Sequence, residues 1–467
     1  MSPQGGRLRA RFAGSASKGV AHPDNRLAFF DQATFLSLRA TGRDQLAQAA
    51  WVYKNAVEFD GLRRFHRNLG HGLLGRRVER SSLAFGRHRW GASEGPLDID
   101  VADCARPRAE LIDWLDERVQ LPIDPEWGPG WHLGVLPLTD GSTAVSLVVS
   151  HCLVDGSGVA VTIADAVNGN VRDFGYPPPR SRSRLRAVVS DARQTVQGAP
   201  EVARAVVGAA KLLLSRRQDT ARPAAPRPAA VLSDGADCDV VLPTTSISID
   251  LDDWDARAKI LGGASYSLLA GFAAKLGERM GRCRADDGAV TLLLPITDRT
   301  LEDTRANAFS FGTVSVDPAQ VTTDLSSTRV LLAQAWWASR EASDQAEQLL
   351  ALTPFIPKRA VKRTADLLFG FTALPVVCSN LGDLPPEVNR PDGTDADYLM
   401  LRGVDQNVTR KYIESMNGQL VVVGGRLAGK MTISVVAYQR GGNNTKPHLR
   451  ELVANTLKEF GLSGILE

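Results

Sequence analysis

Cysteine is scarce and unpatterned. Cys104, Cys152, Cys238, Cys283 and Cys378 are the five in 467 residues, and no two form a CxxC pair. An odd, scattered set speaks against a disulfide scaffold and fits a reducing compartment. Seven histidines are equally dispersed, so no tetrahedral ligand set forms and no metal is expected. An excess of one charge is missing too. The 55 basic and 52 acidic side chains leave a net charge of +3, too little for a dedicated nucleic-acid binder. No apolar run approaches the roughly 20 residues of a membrane span, so membrane contact would be peripheral. The absence of a G-x-S-x-G elbow removes the usual serine hydrolase signature.

What is present is the composition of a folded protein, 43% hydrophobic and 23% charged. A chain this long exceeds one ordinary core and divides into two domains. Residues 1–26, basic and rich in small residues without an apolar core for a secretory signal, read as a mobile arm. The first domain spans 27–176. From 177 the composition turns basic, with nine Arg or Lys against Asp191 and Glu201 between Arg180 and Arg217. A solvated helical crossover is the plainer reading of 177–238, ending in a Pro/Ala-rich linker; a membrane-surface helix is the sharper one. The second domain spans 239–467.

Periodicity supplies the elements. Leu62, Phe65, Leu69 and Leu73 make an apolar helical face that Asp60 would cap. Pro129 to Leu136 alternates as a half-buried strand does, and Asp140-Gly141 suggests a tight hairpin turn into Ala144–Val149. That apolar strand ends at Ser150-His151-Cys152-Leu153-Val154-Asp155-Gly156-Ser157-Gly158, with helix-prone sequence beyond. A histidine at a strand end, an aspartate four residues on and a small residue beside it could supply a base, an anion and space. Cys152 would point away from His151 and serve as core packing. The run from Gly424 to Lys430 has phosphate-loop spacing, but Met431 replaces the hydroxyl and a strand follows, so a glycine-rich hairpin is expected.

The HxxxDG motif and its setting resemble the CoA-dependent acyltransferase superfamily, which includes chloramphenicol acetyltransferase and peptide-synthetase condensation domains. Within it the chain is most similar to the bacterial wax ester synthase/diacylglycerol acyltransferase family. Phe30-Asp31-Gln32-Ala33-Thr34-Phe35-Leu36 echoes that family's early segment, and Pro129-Gly130-Trp131 its Pro-Leu-Trp. Pro295-Ile296-Thr297-Asp298-Arg299, Ala306-Asn307 and Ser379-Asn380-Leu381-Gly382 follow in the family's order. Ser150 stands where the family usually has a first histidine.

The resemblance implies an α/β fold of two chloramphenicol acetyltransferase-like subdomains, each a mixed sheet with flanking helices, around a central channel. It implies His151 as general base, Asp155 paired with Arg299 as architecture, and Gly156 keeping the approach open. Trp131, Asn307, Ser379 and Asn380 would line the channel. The expected reaction moves an acyl group from CoA or a carrier thioester to a hydroxyl acceptor, with no cofactor beyond that substrate. The expected location is cytoplasmic, with a peripheral variant at the inner membrane face or a lipid-droplet surface. The alternatives are an inactive scaffold of the same fold and an amide-forming condensation enzyme.

Overall fold

A computed structural model of the chain describes residues 25–179, 181–218, 237–355 and 374–466. Nearly all of the N-terminal arm and most of the Pro/Ala-rich linker therefore lie outside the described residues. In chain order the first half holds α1 (Phe29–Thr41), β1 (Asp44–Tyr53), α2 (Phe59–Leu69), β2 (Arg76–Glu79), β3 (Arg89–Ala92), β4 (Asp100–Val101), α3 (Leu111–Gln120), β5 (Trp131–Pro137), β6 (Thr143–Ser150) and α4 (Gly156–Asn168). Two helices follow, α5 (Arg184–Gln197) and α6 (Ala199–Gln218). The second half holds β7 (Thr244–Asp250), α7 (Leu251–Ile260), α8 (Ser265–Arg279), β8 (Val290–Thr297), β9 (Phe309–Val316), α9 (Ser326–Leu350), β10 (Val376–Asp383), β11 (Tyr398–Gln406), α10 (Arg410–Ser415), β12 (Gln419–Leu427), β13 (Lys430–Tyr438), α11 (Lys446–Glu459) and β14 (Ile465–Leu466).

Two mixed sheets carry the architecture. The first runs β11-β1-β6-β5-β4 and the second β14-β7-β13-β12-β10-β8-β9, while β2 and β3 form a separate ribbon. The strand that ends at His151, β6, is central in the first sheet and buried along its whole length. That explains its continuous apolar run, since both of its faces are covered. Val145, Leu147 and Val149 pack with Leu62, Phe65 and Leu69 of α2 and Ile163 of α4. Ala144 joins Trp114 and Leu115 of α3 on the other side. The second core forms where Leu268, Leu269, Phe272 and Leu276 of α8 meet the larger sheet, backed by Leu449, Val453 and Leu457 of α11.

The halves are not separate along the chain. β11, from the C-terminal half, pairs antiparallel with β1 from Asp44↔Gln406 to Val52↔Tyr398 and also lies against β12 and β13. One strand thus completes the first sheet and abuts the second. Close approach follows in the segment before it: a Cβ on Gly61 of α2 would sit 1.8 Å from the Asp392 carbonyl oxygen, so only glycine fits there.

Local expectations were refined in four places. The cap residue of α2 is Glu58, with no side-chain cap, and Asp60 lies in its first turn while Leu73 falls beyond its end. β5 is buried on both faces, because α3 covers the side on which His132 meets Arg118. The β5–β6 connection is a five-residue loop closed by Asp140 accepting from the Ser142 backbone N–H at 3.0 Å, with Gly141 at φ 87°. The Gly424–Lys430 run is the β12–β13 hairpin, whose two-residue turn places Ala428 and Gly429 at φ 49° and 71°. Among the described residues no helix is long and apolar enough to cross a membrane.

Candidate active site

His151 follows β6 directly and donates its backbone N–H to the Gln45 carbonyl of β1 at 2.8 Å. Its imidazole Nδ1 lies 3.0 Å from Oδ1 of Asn307. The amide of Asn307 is oriented by its own partners, since Nδ2 donates to Asp31 Oδ1 and to the His151 carbonyl, both at 3.2 Å. Oδ1 is therefore the acceptor and Nδ1 the donor, so in the neutral imidazole the lone pair is on Nε2. This is the tautomer a general base acting through Nε2 requires.

Asp31 of α1 anchors that arrangement. It is fully buried and accepts the backbone N–H groups of Ala306 and Asn307 at 2.8 and 2.9 Å. Burial raises its carboxyl above the usual range, and those two bonds with nearby Arg76 offset only part of that rise. The early Phe30–Leu36 segment pointed to this position in sequence without assigning it a role. Asp31, Asn307 and His151 form one chain of hydrogen bonds drawn from α1, the β8–β9 connection and the end of β6.

Asp155 and Arg299 lock the same region. Nε and Nη2 of Arg299 reach Oδ1 and Oδ2 of Asp155 at 3.1 and 2.8 Å, with both side chains 4% exposed. Asp155 also caps α4 through the Gly158 N–H at 2.7 Å and accepts from Ala308 N–H at 2.7 Å. Arg299 donates further to the carbonyls of Arg305 and Ala306. Such a bidentate buried pair fixes geometry as well as energy. It clamps the loop that carries Asn307 to the turn that carries His151. Arg76, on β2, adds a second clamp by donating to the Leu153 and Thr304 carbonyls at 2.6 and 2.5 Å under the Trp90 ring.

Ser150 is fully buried and turned away from His151, donating to Asp44 Oδ2 at 2.7 Å. Burial pushes the Asp44 carboxyl up to about 6 even with that bond. Cys152 is buried beside it among Leu27, Phe35, Trp90 and Leu153, and burial raises its thiol far from nucleophile range. The face that His151 shares carries other groups. Gln45 pairs with Asp405 across β1 and β11, so Asp405, Gln45 and His151 form one row over three strands. Burial pushes the Asp405 carboxyl up, while the Gln419 bond at 2.8 Å and the charges of Arg43 and His151 oppose the shift. Asp405 escapes sequence reading because only strand pairing brings it near the histidine.

The remaining expected residues scatter. Trp131 is core, not channel: it is 4% exposed, gives its indole N–H to the Leu74 carbonyl at 3.1 Å and meets His66 edge to face. A Cβ on Gly156 would lie 3.2 Å from Cδ2 of Leu381. Ser379 and Asn380 belong to β10 on the wall that carries Leu381, and Asn380 Oδ1 accepts from the Gly382 N–H at 3.1 Å. One opening of about 740 Å³ runs along α4 between Val161, Asn168, Leu384 and Leu427, and His151 is not in its lining. No group of three or more His, Cys, Asp or Glu among the described residues is placed to hold a metal.

The architecture, two mixed sheets with flanking helices joined at a shared strand, is the two-subdomain fold of condensation domains and related acyltransferases. The wax ester synthase/diacylglycerol acyltransferase from Marinobacter aquaeolei VT8 is similar at TM-score 0.53 and 14% identity, over 93% of this chain and 98% of that one. The first condensation domain of the CDA synthetase matches at TM-score 0.52 and 14% identity, over 95% and 99%. The EpoB cyclization-docking bidomain from Sorangium cellulosum matches at TM-score 0.53 and 14% identity, over 97% and 88%. No family model matches the chain, and no curated protein matches it in sequence.

Proposed function

We propose that the protein is an O-acyltransferase moving a long-chain acyl group from a CoA or carrier thioester to a hydroxyl acceptor such as a fatty alcohol, diacylglycerol or complex lipid. The observation that carries this reading is the hydrogen-bond chain from Asp31 through Asn307 to His151, which places the lone pair of the neutral imidazole on Nε2 at a strand end. Nε2 takes the acceptor hydroxyl proton as its oxygen attacks the thioester carbonyl. A C–O bond forms, the C–S bond breaks, and the proton passes from the imidazolium to the departing thiolate. A positioned base of this kind contributes roughly 10² to 10⁴ in rate. No metal, cofactor or covalent enzyme intermediate takes part.

An apolar wall next to the Asp31–Asn307 contact suits an acyl chain. Phe30, Phe309 and Phe311 meet edge to face at 5.5 and 5.2 Å, starting two residues after Asn307 and ending at the partly exposed Phe311. The buried hydroxyl of Ser150 favours a working enzyme over an inactive scaffold, because the residue that departs from the family pattern serves Asp44 and not the reaction. Incubation with long-chain acyl-CoA and a panel of alcohols, diacylglycerol and amines, followed by free thiol and product mass, tests the proposal. Ester formation that His151→Ala lowers by roughly 10² or more is expected. Amide products would favour the condensation reading, and unchanged turnover in His151→Ala would refute the mechanism.

A further inference from the structure

Helix α5 is built inside out. Its inward face is polar: Asp191 accepts from Ser81 Oγ and the Ser82 N–H, both at 2.8 Å, and Arg89 reaches Ser190 at 3.2 Å and also Gln194. Its outward face is aliphatic. Leu185, Val188, Val189 and Val196 are between 41% and 75% exposed. At 100° per residue Leu185, Val189 and Val196 fall within a strip about 40° wide, and Val188 lies about 60° beyond it. In α6, Val206 and Val207 are also exposed, at 53% and 54%.

Cations border the strip. Arg186 and Arg193 lie along one flank and Arg184 along the other, all exposed and with no carboxylate partner among the described residues. The loop that binds Asp191 carries exposed Phe85, stacked on exposed Phe355 at 6.0 Å. Water would select the opposite orientation of this helix, because its polar face is the one that could be solvated. A continuous aliphatic strip with unpaired guanidinium groups on both sides is the pattern of a helix lying in a membrane interface, where the side chains enter the acyl boundary and the cations meet lipid phosphates.

We infer that α5, extended by the start of α6, is a docking face for an anionic lipid bilayer. The inference does not depend on the acyl-transfer reading, since its readout is binding and not turnover. Sedimentation of the full chain with phosphatidylcholine vesicles, with and without phosphatidylglycerol, tests it. Binding should require the anionic lipid and fall with added salt. Arg186→Ser with Arg193→Ser should weaken it about thirtyfold. Leu185→Ser with Val189→Ser should weaken it about tenfold or more. Both variants should keep the wild-type melting temperature, and neither should change thiol release from a soluble acyl-CoA. Absence of vesicle binding by the wild type, or full binding by both double variants, would overturn the inference. Concentration-dependent self-association that the Leu185→Ser, Val189→Ser variant abolishes would overturn it in favour of a second copy of the chain on this face.

Discussion

Ser150 and His151 are adjacent in sequence and opposite in function, because successive residues at a strand end face different sides. The Ser150 hydroxyl belongs to the buried Asp44 carboxylate. Ser150→Ala should therefore cost about 1–3 kcal/mol of stability while leaving turnover unchanged, as thermal unfolding and thiol release would show. A loss of turnover at unchanged stability would put Ser150 back in the reaction. Asp405 is the converse case, far in sequence and on the same row as His151. Its carboxylate is placed to stabilise the imidazolium that forms as His151 takes a proton, so Asp405→Asn should lower kcat by roughly tenfold. A change in KM alone would make Asp405 a binding residue.

At the scale of elements, the turn from β6 into α4 and the connection from β8 to β9 are held as one piece by Asp155 and Arg299. Removing one member leaves a buried charge without its partner, which costs about 3–5 kcal/mol. Asp155→Asn should lower melting temperature and turnover together, since the same carboxylate caps α4 and holds the loop of Asn307. The double variant Asp155→Ala, Arg299→Ala should be less destabilised than the two single losses summed, and strict additivity would deny the coupling. The β6–turn–α4 motif was legible in sequence because its apolar run, glycines and helix start are local. The cap of α2 and the length of the β5–β6 loop were not, because both depend on how the chain enters a covered sheet.

For the whole molecule, buried titratable groups set how the fold responds to acid. Burial, with nearby Arg80 for His88 and Arg118 for His132, lowers both imidazoles from 6.5 to about 4. Over that window the unfolded chain binds protons that the folded one refuses, so these two groups make stability fall as pH falls. Asp44 acts the other way. Its folded pKa of about 6 lies above the ordinary 3.8, so its contribution is greatest at low pH and is lost as pH rises through about 6. Asp31 and Asp405, whose carboxyls burial also raises, act in the same sense as Asp44, so each set is read by its own variant. The combined variant His88→Gln, His132→Gln should lose less melting temperature than the wild type between about pH 6.5 and 4, and Asp44→Asn should lose more; scanning calorimetry across the window reads both.

The sequence by itself determined what is local or periodic: the buried strand before His151, the helix after it, the basic crossover and the order of motifs that suggested the fold. The family resemblance also paired Asp155 with Arg299, because both stand in the motifs that carry it. Tertiary structure decided the rest. Asp31 and Asn307 are 276 positions apart and meet because the β8–β9 connection reaches across to α1. Trp131 became core and Asp405 a neighbour of His151 because β5 is covered on both faces and β11 crosses into the first sheet. Hydrophobic pattern fixes which face of an element is buried, but only packing fixes which elements share that face.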